Sequence, residues 1–254
     1  MKPRSRQLLV CLLMTLFPLS SMVAQDTVYV YGPGGPAPAM KEAAEHFQKI
    51  TGVNVLVTAG PTPQWLEKAK HDADIIYSGS ETMMTDFVNA FDGKLVDADV
   101  QPLYLRPLSL LVRPGNPKKI KGVKDILLPG VKILVVQGAG LTGSWEDMAG
   151  RKGDINTVRM VRKNIVSYAK NSAEARQQWI NNPAIDVWII WNIWQVSNPH
   201  LAEGVAIEPD YAIYRGTSVA LTTLGKTKNP AKQFVGFLSS PEGKRIFKKW
   251  GWID

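Results

Sequence analysis

Val28-Tyr29-Val30-Tyr31-Gly32-Pro33-Gly34-Gly35-Pro36 is an apolar, strand-like run that breaks into glycines and prolines. It then opens a helix-period pattern, Met40, Ala43, Ala44, Phe47 and Ile50, stopped by Gly52. The same order recurs at Ile133-Leu134-Val135-Val136, which leads through Gly138-Ala139-Gly140-Leu141-Thr142-Gly143-Ser144 into another helix start. A strand that enters a helix through small residues leaves the helix's first backbone N–H groups without intrahelical partners, at the positive end of its dipole. Such a turn suits a bound anion. Two of them, in different halves of the chain, predict a cleft that captures a small anion.

Outward from these stretches, strands and helices alternate, which argues for parallel sheets covered by helices. Residues 53–57 form the next strand, Gly60-Pro61-Thr62-Pro63 the next turn and 64–70 the next helix, with His71 in a loop. Residues 73–77 form a third strand that ends in Ser78-Gly79-Ser80. In open parallel sheets ligands sit beyond the carboxyl ends of the strands. A strand at 108–112 is broken by Arg113-Pro114-Gly115-Asn116-Pro117, and a second alternating set begins near Val131. Its strands are 133–136, 165–169 and 185–190, and its helices start near Ser144, Ile155 and Ser172. Beyond Pro209 a strand at 211–221 is followed by helices at 230–238 and 241–250, the last with Ser240 as N-cap, Pro241 in its first position and Glu242 on its dipole. The expected fold is α/β with two lobes, each a mostly parallel sheet flanked by helices. Lobe I comprises 25–106 with 212–254 and lobe II 107–211. Two crossings, near 105–113 and 208–216, form a hinge that permits closure around a ligand.

Composition bounds the function. Lys2, Arg4 and Arg6 precede an apolar stretch at 8–19 and the small residues Ser20 to Ala24, the tripartite pattern of a secretory signal over residues 1–24. That stretch is about a dozen residues where a membrane span needs roughly 20. Cleavage after Ala24 leaves an exported, periplasmic protein. It removes three basic and no acidic residues, which lowers the net charge from +8 to +5. The one cysteine, Cys11, leaves with the leader, so the mature chain has no disulfide, thiol nucleophile or cysteine metal site. Basic clusters such as Lys118-Lys119-Ile120-Lys121 lack an interleaved aromatic platform, which argues against nucleic acid. His46, His71 and His200 have no zinc spacing and no serine sits in a nucleophile elbow, so an enzyme is the least supported class and no cofactor is expected.

The closing stretch from Phe234 to Phe247 resembles the C-terminal signature of type II periplasmic solute-binding proteins. Tyr31 to Pro36, Trp145-Glu146-Asp147-Met148-Ala149-Gly150-Arg151, Asn171-Ser172 with Arg176, and Tyr214-Arg215 resemble the accessory colonization factor C family, a relative of molybdate- and sulfate-binding proteins. The resemblance spans the mature chain. It implies an exported binding role, with an inner-membrane ABC permease or a chemoreceptor as partner and a homodimer left open. Matched to the molybdate-binding pattern, it places ligand contacts at Gly34 and Gly35, Thr62, Thr142 to Ser144, Ser172 with Ala173, and Trp191. Glycines and Thr62 replace the serines of the first two turns, and Trp191 stands where those binders carry tyrosine; both departures argue against a simple tetrahedral metal oxyanion.

Read as chemistry, Thr142, Gly143 and Ser144 offer hydroxyl and N–H donors, with Ser144 equally able to serve as a plain N-cap. Ser78 and Ser172 have the same two readings. Arg215, on the second crossing, is read either as a forked partner for carboxylate or phosphate or as an ion pair between lobes. Trp191 is expected over the ligand, Trp188 and Trp194 in the core. The turns at 32–36, 60–64 and 138–144 hold no Asp or Glu, which favours a fully ionised ligand. The expected ligand is a sulfate-like oxyanion or a small phosphorylated or carboxylated acid. The rival reading is a surface antigen or adhesin-like colonization factor on the same fold.

Overall fold

The computed structural model describes residues 27–254; the leader expected at 1–24 lies outside them. The strands are β1 (Val28–Gly32), β2 (Val55–Ala59), β3 (Ile75–Tyr77), β4 (Gln101–Val112), β5 (Ile133–Val136), β6 (Ile165–Ala169), β7 (Val187–Trp191), β8 (Glu203–Ala206) and β9 (Tyr214–Leu221). The helices are α1 (Ala37–Thr51), α2 (Leu66–Asp72), α3 (Glu81–Ala90), α4 (Val123–Ile126), α5 (Ser144–Gly150), α6 (Ile155–Asn164), α7 (Ser172–Asn181), α8 (Ile193–Ser197), α9 (Asn229–Leu238) and α10 (Pro241–Lys249).

The strands follow the order β2-β1-β3-β9-β4-β7-β5-β6, with β8 also on β4. On one side β1, β2 and β3 are mutually parallel and β9 joins β3 antiparallel. On the other, β5 is parallel to β6 and β7, and β4 is antiparallel to β7. Strand β4 belongs to both sides. Its residues up to Pro107 pair with β9, and from Leu108 onward it pairs with β7 and β8. Strands β5 and β7 are buried at every position, as strands covered on both faces must be, which explains their unbroken apolar sequences.

Local sequence accounts for most boundaries. Helix α1 carries a proline in its first turn and stops at Gly52, whose left-handed φ of 77° lets its N–H reach Gln48 O. Ser80, Asp154, Asn171 and Ser240 each cap a helix through the side chain. Three expectations are corrected. Ile50 is 61% exposed, because the buried face of α1 ends at Phe47. His71 lies in the last turn of α2 rather than in a loop. The strand at 108–112 extends back to Gln101, since Gln101 to Pro107, though interrupted by prolines, are held by β9.

Asp74 is fully buried before β3. It accepts from Tyr29 N at 2.9 Å and pairs with Lys228, at the start of α9, at 3.0 Å, so it ties β1, β3 and the closing helices together. Removing it strands a half-buried ammonium and an N–H group. Asp74→Ala is expected to cost about 3 kcal/mol, read as a lower midpoint in urea at unchanged slope; a loss below about 1 kcal/mol would show the pair to be dispensable.

Candidate functional site

Six parallel strands, three on each side, end around one cavity of about 190 Å³. The residues after β1, β2 and β3 supply Pro33 to Pro36, Gly60 to Thr62, and Gly79. Those after β5 and β6 supply Gly140, Leu141 and Asn171 to Ala173, and the end of β7 supplies Trp191, with Trp194 from α8. Gly34, Gly35, Thr62, Ser172 and Trp191, all singled out in the sequence, therefore meet at one place. The approach to α1 is fixed from below: the buried Tyr77 hydroxyl donates to Pro33 O at 3.0 Å. A Cβ on Gly32 would lie 2.5 Å from Tyr77 O, so only glycine fits the exit of β1.

The remaining expected residues lie elsewhere. Ser78 is fully buried, its Oγ accepting from Ser218 N at 3.2 Å and its carbonyl from Thr217 Oγ1 at 2.6 Å, which fastens the end of β3 to β9. Ser144 Oγ donates to Leu141 O at 2.8 Å, which shapes the turn from within. Gly143 precedes α5 with φ 73°, and neither it nor Thr142 lines the cavity. From that turn Gly140 and Leu141 do. Arg215 pairs with Asp147 of α5 at 2.7 Å across a separate groove, the ion-pair alternative of its two readings. Trp194, expected in the core, is a wall of the cavity.

Sequence reading passed over Arg106, the one charged residue among those lining the cavity. It stands in β4 just before that strand passes from one sheet to the other. It is 3% exposed. Its Nη2 donates to Gly79 O at 2.5 Å, while its Nε has no partner among the described residues. The Trp191 ring lies 5.0 Å and the Trp252 ring 4.9 Å from its Cζ. Burial pushes its pKa down to about 9. Gly35 and Gly79 make room for it: a Cβ on either would lie 2.9 Å or 3.1 Å from a guanidinium nitrogen. The signal was available: Arg106 is the one charged residue of β4 and stands at the expected crossing.

Arg113, just past the end of β4, sets the contrast. Its Nε, Nη1 and Nη2 donate to Ile185 O, Trp179 O and Asn182 O at 2.7–3.0 Å, and its guanidinium lies 3.6 Å from the Trp179 ring centre. Arg113 is satisfied by protein. Among the described residues Arg106 keeps an unused donor beside the cavity, and the Trp191 Nε1 in the same wall is likewise buried without a partner. No carboxylate lines the cavity among the described residues, and none of them form a cluster suited to a metal ion. The arrangement gathers a desolvated cation, an indole with an unpaired N–H and the residues at the starts of α1 and α7 around one cavity, a setting that suits a bound anion.

Across the mouth the two sides touch. A Cβ on Gly140 would lie 3.0 Å from Gly79 O and 3.4 Å from Ser80 Oγ. Gly140→Val is expected to hold the sides apart, read as a larger radius of gyration in small-angle scattering; an unchanged radius would show that the contact does not limit closure.

Residues 28–253 match the family model described as bacterial extracellular solute-binding protein. Among solved structures, L-phospholactate-bound PEB3 is 41% identical at a TM-score of 0.84, over 89% of this chain and 99% of that one. The sulfate-binding protein SubI of Mycobacterium tuberculosis H37Rv is 18% identical at 0.72, over 89% and 86%. The periplasmic molybdate-binding protein of Azotobacter vinelandii is 16% identical at 0.68, over 89% and 99%. Comparison with curated proteins gives no match. The architecture is thus the expected one, the two-lobed α/β fold of type II periplasmic binding proteins, and no helix among the described residues is long and apolar enough to cross a membrane.

Proposed function

This chain belongs to the bacterial extracellular solute-binding protein family, and from that premise we propose that it captures a small phosphorylated or carboxylated acid between its lobes. The observation that carries the reading is Arg106, a buried cation with an unused donor and no acidic neighbour in the cavity wall. Its charge goes to the ligand's anionic group, together with the backbone N–H groups of the Gly34-Gly35 turn and the start of α7, and the Trp191 indole. Met83, Leu141, Trp191, Trp194 and the prolines at 33, 36 and 61 make the rest of the wall apolar. They suit a short carbon body more than a bare oxyanion. The volume, about six waters' worth of liquid, fits a ligand of that size.

The phospholactate held by PEB3, at 41% identity over nearly its whole length, supports the same class. Hydrogen bonds to charged groups contribute roughly 1.5–3 kcal/mol each, so a few reach the ~8 kcal/mol of micromolar affinity after ordering costs. In this reading the captured acid is delivered to an inner-membrane ABC permease, a role that membership of the family supports. With the leader read from the sequence at 1–24, the mature chain works in the periplasm in this proposal. Among the sequence-derived residues, Gly34, Gly35, Thr62, Ser172 and Trp191 remain as ligand contacts, now with Arg106 at their centre.

Calorimetric titration with L-phospholactate, inorganic phosphate and sulfate tests the reading. L-Phospholactate is expected to bind with the highest affinity of the three. Arg106→Gln is expected to weaken it by about 2–4 kcal/mol, or ~30- to 1000-fold, with no fall in melting temperature, because the variant no longer buries a charge. Full affinity in Arg106→Gln would overturn the proposal.

The pH dependence has a definite sign. Binding requires the guanidinium charged, and a pKa of about 9 keeps it so at neutral pH. The phosphate is largely a dianion from pH 7 upward. Affinity should therefore hold nearly level from pH 7 to 9 and then fall by up to about tenfold per pH unit as proton uptake joins binding. A flat profile to pH 10.5 would remove Arg106 titration from the process.

A further inference from the structure

Beyond α10 the residues 251–253 bond to both lobes. Ile253 N donates to Leu105 O at 2.8 Å and Leu105 N to Ile253 O at 2.7 Å, a two-bond antiparallel bridge to β4 one residue before Arg106. Gly251 O accepts from Asn192 Nδ2 of lobe II at 2.6 Å. Gly251 has φ 87°, and a Cβ there would lie 2.9 Å from Asn192 Nδ2 and 3.1 Å from Val196 Cγ2. Glycine thus serves twice, for the left-handed turn and for the close approach to lobe II. The intervening Trp252 is 1% exposed, its ring edge-on to Phe247 of α10 and 4.9 Å from the Arg106 Cζ.

We propose that residues 251–253 form a third connection between the lobes and that Trp252 is a positioning residue, holding the Arg106 guanidinium at the cavity wall. The guanidinium lies between two indoles of different origin, Trp191 at the end of β7 in lobe II and Trp252 on a tail anchored in lobe I. A desolvated cation against an aromatic face is at the strong end of such contacts. Arginine's long side chain loses much rotamer freedom when fixed, so a wall that fixes it in advance spares the ligand that cost. Because the tail also bonds Asn192, a shift of lobe II is transmitted to the residue that carries the charge. The inference rests on Arg106 as the anion anchor, and its test separates the two claims.

The full mature protein is compared with Trp252→Leu, which keeps bulk without a π face, Trp252→Phe, which restores one, and Gly251→Val, which leaves Trp252 intact but pushes the tail off Asn192. The first readout needs no ligand: the Arg106 Nε–H resonance, identified by its absence in Arg106→Gln, should be shifted upfield by the rings and protected from exchange. Trp252→Leu should reduce both effects and Trp252→Phe restore most of them. The second readout is affinity for L-phospholactate, expected to fall about tenfold or more in Trp252→Leu and by a smaller factor in Gly251→Val, and to stay within about threefold in Trp252→Phe. An Nε–H signal indifferent to position 252, or an affinity unchanged in Trp252→Leu while Arg106→Gln abolishes binding, would overturn the inference. A signal that responds to position 252 in a protein whose anion binding ignores Arg106→Gln would uphold the clamp and overturn the proposed anchor.

Discussion

Strand β4 is hydrogen-bonded into both sheets, and that shared strand fixes how the lobes face each other. Because β9 takes one stretch of it and β7 the next, the carboxyl ends of the two parallel sets are brought to opposite sides of one gap. A separate linker would allow the lobes many relative orientations. A continuous strand confines them to bending and twisting about the switch of partners at Pro107 and Leu108, so turns far apart in sequence are presented to a common point.

That geometry gives Arg106 its character. A guanidinium placed on the connecting strand is covered by both lobes, and burial there costs solvation that only a counter-charge or several acceptors can restore. At Arg113 the protein supplies three carbonyls. At Arg106 it supplies one carbonyl and two aromatic faces and leaves the remaining demand to whatever enters the cavity. Arg215, directly opposite Arg106 in the β4–β9 register, is instead neutralised by Asp147. Of two facing arginines, one is paired within the protein and the other, in the proposed reading, awaits a guest.

Much of this was legible in the sequence. Strand and helix alternation, the glycine turns and the side-chain caps are local features, and local features fix the elements and the end of the sheet at which they converge. Gly34, Gly35, Thr62, Ser172 and Trp191 could be read as neighbours around one cavity because each sits in or beside such a turn. Arg106 was not so read, because its place in the cavity wall arises from which strand it interrupts and from Gly35 and Gly79 leaving space around it, relations between residues 27 to 71 positions apart. Arg215 attracted attention by lying on the second crossing, yet nothing in the chain's local pattern reveals that Asp147, 68 residues away, reaches it first. Trp252 is more remote still, a residue past the last helix whose ring meets a side chain 146 positions earlier.

Gly140 meets Gly79 and Ser80 with little room for a side chain between them. Were the jaws to close further, backbone would resist backbone at that rim. A single methyl group added there would then alter the depth left beneath, and with it the size of guest admitted.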